Sequence, residues 1–197
     1  MGKVQSKHDF TLATAGTAAP AAPAAANSLC ETPRHAEFLE LPQNLTGYFD
    51  LSQAQRCARA QGKPLFVDFT GHACVNCRKM EATVWADPRV LAHLRNDYVV
   101  VALYVDDKTE LPPAEWYTSP RDQQPKTSLG KQNADLQLSN FQGNAQPLYA
   151  LLDPAQPTDR AHALAPPLAY EPDADQFAAF LEAGLQAYRQ RGPVAAR

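Results

Sequence analysis

One stretch, residues 64–81, constrains the fold of this chain more than any other. An apolar run of strand length at 65–69 breaks at 70–71, and Cys74 and Cys77 follow at the start of helix-forming residues. Strand, turn and a Cys-x-x-Cys pair opening a helix are therefore predicted in that order. Unpaired backbone N–H groups and the helix dipole favour a thiolate there. Because the thiolate is the attacking species in disulfide exchange, Cys74 is predicted to attack and Cys77 to resolve the mixed disulfide.

Two acidic residues accompany the cysteines. Asp68 lies within the apolar run, although a strand buried on both faces should carry only apolar residues. Because burial raises the pKa of a carboxyl group, Asp68 is predicted to lie beneath Cys77 and to exchange a proton with it. Glu81 follows Cys77 by one helical turn and is predicted to join this relay. The alternatives are an Asp68 that faces solvent at a strand end and a Glu81 that is an ordinary solvated helix residue.

Other uses of a Cys-x-x-Cys pair fit the sequence less well. Structural zinc takes four ligands, but the chain has no second such pair and its five histidines are scattered. Attachment of c-type haem needs a histidine directly after the second cysteine, and Arg78 is found there. His72 is interpreted as a loop residue that tunes access to the cysteines. We predict no metal and no cofactor.

The sequence around the cysteines is similar to a known family. The similarity covers roughly residues 34–190 and rests on Asp-Phe-Thr-Gly-x-x-Cys-Val-Asn-Cys-Arg-Lys-Met-Glu at 68–81, Val-Trp-Ala-Asp-Pro-Arg-Val at 84–90, and stretches at 45–50, 98–106 and 144–149. These motifs resemble the thioredoxin-like C-terminal domain of the transmembrane thiol:disulfide interchange protein (DsbD type), in the variety found in Bacteroidetes-like bacteria.

The resemblance implies roles for particular residues. Cys74 and Cys77 would be the redox pair, tuned by the acidic residues at positions 68 and 81. Gln146-Pro147 would be a cis bond whose loop faces the cysteines and pairs with a partner backbone, whereas trans is the default for an X-Pro bond. Ala73 stands where many thioredoxin-like proteins have Trp, which would leave Cys74 more open.

The resemblance also implies a function and a location. The domain would be a protein-disulfide reductase that takes electrons from a membrane domain and passes them to extracytoplasmic thiol proteins, with cytochrome c biogenesis among the associated processes. It would be a monomer in the periplasm, as a soluble domain of an inner-membrane protein. The net charge of −3 gives no reason to expect nucleic acid as a partner. The alternative is a non-catalytic binding module with a structural disulfide or a metal-bound cysteine pair.

The composition of the first residues differs from that of the rest. Residues 17–26 are almost entirely Ala and Pro, which predicts a disordered linker or added tail over residues 1–33. The first 12 residues lack the continuous apolar core of a secretory signal. Residues 34–190 are predicted to form one domain, and residues 191–197 a tail.

The predicted architecture is an α/β thioredoxin fold: a central mixed β-sheet flanked by helices in the order βαβαβαββα, with an insertion at 106–140 before the cis-Pro strand. Gly184, on the last helix, is expected to mark a close approach to the sheet. Strands are predicted at 45–49, 65–69, 98–105, 146–153 and 160–164. Of the remaining cysteines, Cys30 is interpreted as exposed and non-catalytic, and Cys57 as a small buried hydrophobic residue. Cys74–Cys77 is the preferred disulfide.

Overall fold

The structure is a computed structural model that describes residues 28–191; most of the predicted linker and the end of the predicted tail lie outside this range. The elements follow in the order β1 (Gly47–Tyr48), α1 (Leu51–Gln61), β2 (Leu65–Thr70), α2 (Val75–Thr83), α3 (Pro88–Asn96), β3 (Val99–Tyr104), β4 (Tyr117–Thr118), β5 (Pro125–Lys126), α4 (Leu129–Phe141), β6 (Leu148–Leu152) and α5 (Ala174–Arg191).

The central sheet is mixed, with its strands in the order β1-β3-β2-β6. β1 and β2 run parallel to β3, and β6 runs antiparallel to β2. All residues of β2 and β3 are buried, because helices cover both faces of the sheet. This architecture confirms the predicted α/β thioredoxin fold.

Local sequence signals set the ends of the helices that flank the site. The Asp50 side chain accepts a hydrogen bond from the Gln53 backbone N–H and caps α1, and Gly62 ends that helix in the left-handed conformation with φ 63°. Asp87 caps α3, with Pro88 at its first position. These helix ends are therefore set by residues at the boundaries themselves.

Aromatic side chains pack against the face of the sheet that carries Asp68. The Phe66 ring lies 5.4 Å from the rings of both Trp85 and Tyr149, measured between centroids. On the same face α5 comes so close that a Cβ on Gly184 would collide with the Leu151 side chain. The predicted close approach of Gly184 to the sheet is therefore confirmed.

The predicted last strand at 160–164 is wrong. The described chain has only isolated bridges here, between Leu152 and Ala163 and between Tyr149 and Leu168. Two prolines at 166–167 separate these bridges. Because proline lacks the N–H that a ladder requires, the pairing cannot continue from one bridge to the next.

The insertion before β6 contains a short hairpin, β4–β5, that is attached to α4 through a buried carboxylate. Asp135 accepts hydrogen bonds from Ser119 Oγ at 2.7 Å, Tyr117 OH at 3.1 Å and Arg121 Nε at 3.3 Å. Buried carboxylates require such partners.

Cys30 and Cys57 form a second disulfide, which corrects the interpretation of Cys57 as a small hydrophobic residue. Cys57 is buried as expected, and Cys30 is exposed. The residues around Cys30 return to α1, where the Gln53 amide accepts from the Arg34 N–H at 2.8 Å and donates to the Thr32 carbonyl at 3.1 Å. The sequence offers no periodic signal for this return, because the segment has no helix or strand of its own.

Replacing both Cys30 and Cys57 by alanine is expected to lower the free energy of unfolding by roughly 3 kcal/mol, because the disulfide closes a long loop in the unfolded chain. The two cysteines are 27 positions apart. Denaturant melts of the oxidised proteins measure the difference. Disulfide exchange at Cys74 should persist in the variant, and an unchanged melt would contradict the assigned structural role.

Candidate active site

The Cys-x-x-Cys pair lies where the turn after β2 enters α2. Cys74 caps the helix, and its sulfur accepts a hydrogen bond from the Cys77 backbone N–H at 3.1 Å. The two cysteines form a disulfide, as predicted, with their Cα atoms 5.3 Å apart. Since the Cys77 N–H donates to the Cys74 sulfur at the positive end of the helix, this position stabilises a thiolate when the bond is reduced.

The two cysteines differ in accessibility. Cys74 is 9% exposed and Cys77 1%, while the intervening Val75 is 79% exposed. A partner sulfur therefore reaches the Cys74 side of the disulfide more easily. The burial agrees with the predicted division between an attacking and a resolving thiol.

In the reduced protein, iodoacetamide is expected to modify Cys74 before Cys77. The helix N-terminus lowers the thiol pKa of Cys74 below its free value of ~8.5, and Cys77 is shielded from the reagent. Mass spectrometry of samples quenched across a pH series identifies the modified residue. Faster modification of Cys77 or Cys57 would overturn the assignment.

Asp68 is buried at the middle of β2, as predicted, and does not face solvent. Its side chain is 2% exposed, and its Oδ1 has no hydrogen-bond partner within residues 28–191. Burial raises the pKa of Asp68 well above its usual value, and the charge of Glu81 raises it further, whereas Arg78 opposes both effects. Asp68 therefore keeps its proton to a higher pH than an exposed aspartate does.

Glu81 is buried, so it is not an ordinary solvated helix residue. Its residue exposure is 7%, and its Oε1 lies 2.7 Å from an Arg78 nitrogen. Burial raises the pKa of Glu81 to about 7, although the charge of Arg78 lowers it. The two acidic residues predicted near the cysteines are thus both buried, and the charge of Glu81 raises the pKa of Asp68. The Arg78 guanidinium lies beside Glu81.

Sequence reasoning missed two carboxylates that hold the turn before Cys74. Asp106 accepts hydrogen bonds from the backbone N–H groups of His72, at 2.8 Å, and Ala73, at 3.0 Å. Asp107 Oδ2 lies 2.8 Å from His72 Nε2. A signal was present in the sequence, because both residues lie within three positions of the end of β3. Parallel strands bring their carboxyl ends to the same edge of a sheet.

The loop residues nominated from the sequence lie on the surface beside the cysteines. His72 and Ala73 are exposed, and the His72 ring lies 4.6 Å from the ring of Tyr104. The structure therefore holds the His72 side chain at the rim of the site, between Tyr104 and Asp107. Its predicted role in tuning access stays a prediction.

The Gln146-Pro147 bond is cis, as the resemblance implied. Gln146 is exposed and Pro147 is buried. A Cβ placed on Gly71 would lie 2.8 Å from Gln146 Oε1 and 2.9 Å from Asp106 Oδ2. The turn before Cys74, the end of β3 and the cis-Pro loop therefore meet around Gly71, where an added side chain would displace the ends of the Gln146 and Asp106 side chains.

No helix between residues 28 and 191 is long and apolar enough to cross a membrane. Over the same part of the chain, no group of three or more His, Cys, Asp and Glu side chains is arranged to hold a metal ion.

The fold and the site define the class of protein: a thioredoxin-like oxidoreductase fold with a disulfide-forming Cys-x-x-Cys pair at the start of α2. A family model described as thioredoxin-like matches residues 45–154, more than half of the chain. The chain therefore belongs to the thioredoxin-like family.

Two solved structures are similar to this chain. One is the solution structure of a thioredoxin from Thermus thermophilus, with 20% identity, 74% of this chain and 85% of that chain covered, and a TM-score of 0.46. The other is the DsbH oxidoreductase, with 18% identity, coverage of 83% and 96%, and a TM-score of 0.48. The search of curated proteins gave no match.

Proposed function

We propose that this chain is a protein-disulfide reductase domain that passes electrons from a membrane-embedded domain to extracytoplasmic thiol proteins. One observation carries the proposal: Cys74, which is 9% exposed, is bonded to Cys77, which is 1% exposed, at the start of α2. The preceding strand carries the buried Asp68, whose Oδ1 has no hydrogen-bond partner within residues 28–191. A static disulfide has no use for an ionisable group in an apolar site, where the group lowers stability.

The reaction consists of two balanced exchanges. The Cys74 thiolate attacks a partner disulfide, a mixed disulfide forms, and one partner thiolate leaves. Cys77 then loses its proton and attacks the Cys74 sulfur, which restores the Cys74–Cys77 bond and releases the second partner thiolate. The partner gains two electrons and the domain loses two, which a donor dithiol of the membrane domain returns.

The buried carboxyl groups serve the second exchange. Cys77 must become a thiolate in a site closed to water, and Asp68 accepts its proton and returns it when the domain is reduced again. Glu81, whose pKa lies at about 7, connects Asp68 to the exterior. A general base works best when its pKa lies near the working pH.

The partner lies across the rim of the site. Its backbone pairs along the Gln146-Pro147 edge, and the exposed side chains of His72 and Ala73 contact it beside Cys74. The absence of an aromatic residue at position 73 leaves the approach to Cys74 open. We propose that the domain acts as a monomer.

The second disulfide supports an extracytoplasmic, periplasmic location. Cys30–Cys57 lies on α1, away from the turn that holds the redox pair. Disulfides that only hold structure persist in oxidising compartments and are rare in the cytosol. This bond is therefore consistent with a domain that works outside the cytoplasm, close to a membrane-embedded donor.

The reduction potential of Cys74–Cys77 tests the proposal. It is measured by equilibrating the Cys30→Ala/Cys57→Ala variant with dithiothreitol buffers, so that only the redox pair is titrated. We expect a potential closer to the roughly −270 mV of thioredoxin than to the roughly −120 mV of a strong oxidant. A value below about −300 mV would indicate a static disulfide and the binding-module alternative, and a value near −120 mV would indicate an oxidase.

A further inference from the structure

Arg78, the residue after Cys77, connects α2 to the end of β2. One of its guanidinium nitrogens donates to Thr70 Oγ1 at 3.0 Å and lies 2.7 Å from Glu81 Oε1. The Arg78 side chain is 45% exposed, whereas that of Glu81 is 9% exposed. The guanidinium therefore lies between solvent and the buried carboxyl groups.

The titratable and charged groups of this site, including the two carboxyl groups, come from four elements. Glu81 and Arg78 belong to α2, Asp68 to β2, Tyr104 to β3 and Tyr149 to β6. Burial raises the pKa of both tyrosines, and the charges of Asp68 and Glu81 raise it further. Arg78 lowers the pKa of all four acidic groups. Arg78 is thus the cation that compensates for the burial of negative charge in this site.

We propose that Arg78 is a positioning residue: it holds the Glu81 carboxylate beside Asp68 and keeps Glu81 able to accept the proton that leaves the buried site. This inference rests on the proposed function, in which Asp68 takes the proton of Cys77. The proton then moves from Asp68 to the Glu81 carboxylate and from there to water. An uncharged Glu81 cannot accept it, so the Glu81 carboxylate has to be present at the working pH.

The physical reason is the balance between burial and the ion pair. Glu81 is desolvated by the surrounding elements, and Arg78 offsets this cost with a close, oriented charge. A guanidinium can contact the Thr70 hydroxyl and the Glu81 carboxylate together in one fixed plane, which an ammonium group does less well. Without this contact, Glu81 would keep its proton at neutral pH.

Arg78→Gln is the first test. The Glu81 pKa, followed by the carboxyl ¹³C signal in NMR titrations, is expected to rise by about one unit, which leaves about tenfold less ionised Glu81 well below that pKa. The rate of exchange with a model protein disulfide should fall several-fold at pH 7 and recover at higher pH. The matched control is Lys79→Gln, which removes the same charge from the next residue, where the ammonium lies 5.6 Å from the Tyr170 ring centroid.

Arg78→Lys separates positioning from charge. It is expected to give a Glu81 pKa between those of the wild type and Arg78→Gln, because the charge remains but the fixed contact with Thr70 and Glu81 is lost. An unchanged Glu81 titration in Arg78→Gln would overturn the inference, as would an Arg78→Lys variant indistinguishable from the wild type. If Arg78→Gln does not fold, the difference in Glu81 titration between Arg78→Lys and the wild type still tests the inference.

The two proposals fail in different ways. A wild-type domain that exchanges no disulfide would overturn the proposed function, while the NMR titrations would still decide whether Arg78 controls Glu81. An active domain with a Glu81 pKa insensitive to Arg78 would retain the function and overturn the role of Arg78.

Discussion

Cys77→Ala is expected to accumulate mixed disulfides with protein partners, and Cys74→Ala is not. In the first variant Cys74 still attacks, but no second thiol releases the partner, so the reaction stops at the covalent intermediate. In the second variant the more accessible of the two sulfurs is missing, and the remaining thiol is only 1% exposed. Both variants should lose turnover, since each lacks one sulfur of the redox pair.

The trapping experiment uses both variants in the Cys30→Ala/Cys57→Ala background, so that no other cysteine can form an adduct. Periplasmic extracts and a purified model disulfide protein are incubated with each variant, and adducts are separated on non-reducing gels and identified by mass spectrometry. Adducts that disappear on reduction and occur only with Cys77→Ala are the expected result. Equal trapping by both variants would remove the distinction between attacking and resolving thiols.

Asp68→Asn is expected to slow disulfide exchange on the order of 10²-fold, the usual contribution of a general acid–base group. The substitution preserves the size of the side chain but removes the group that titrates. The pH–rate profile, measured from about pH 5 to 9, should therefore lose or shift one limb. A normal rate with an unchanged profile would show that Asp68 takes no part in the reaction.

The same variant makes a prediction about stability. The pKa of Asp68 in the folded state lies well above the unfolded value of ~3.9, so the folded state binds more protons. The free energy of unfolding of the wild type should therefore fall as the pH rises from about 4 toward the folded pKa, and Asp68→Asn should lack this contribution. Denaturant melts over the same pH range measure it. A variant that collapses at every pH would show instead that Asp68 has a structural role.

Two further variants complete the comparison. Glu81→Gln should show a weaker effect on the rate, because the Glu81 carboxyl group contacts the half-exposed Arg78, whereas Asp68 has a buried oxygen without a hydrogen-bond partner among the described residues. Asp175→Asn removes a carboxylate that is 75% exposed on α5 and pairs with Arg89, so it should leave the rate and its pH dependence unchanged.

The proposed reacting residues come from one contiguous segment, and residues from elsewhere in the chain hold that segment in position. Cys74, Cys77 and Glu81 lie on α2 or at its cap, and Asp68 lies on the strand just before it. Asp106 and the cis-Pro loop contact the intervening turn from positions far along the sequence. Asp106 therefore holds the turn by accepting hydrogen bonds from its backbone N–H groups. The position of the cysteines thus depends on the end of β3.

The sequence alone indicated the order of the helices and central strands up to β6, the cysteine pair at the start of a helix, and a carboxyl group within a buried strand. These features depend on residues close together in the chain: a continuous apolar run, an Asp before the first helical turn, and two cysteines at the start of a helix. Each of these local patterns is compatible with few backbone conformations, so it predicts the local structure without knowledge of the remote parts of the fold.

Only the tertiary structure decided which remote groups meet. It paired Cys30 with Cys57, placed Asp106 and Asp107 on the turn before Cys74, and left single bridges where a strand was predicted at 160–164. It also buried Glu81, because the sheet and its neighbours close over a helix face that the sequence shows as polar. Such contacts depend on how the chain packs around β2 and β3, and no local pattern of residue types encodes that packing.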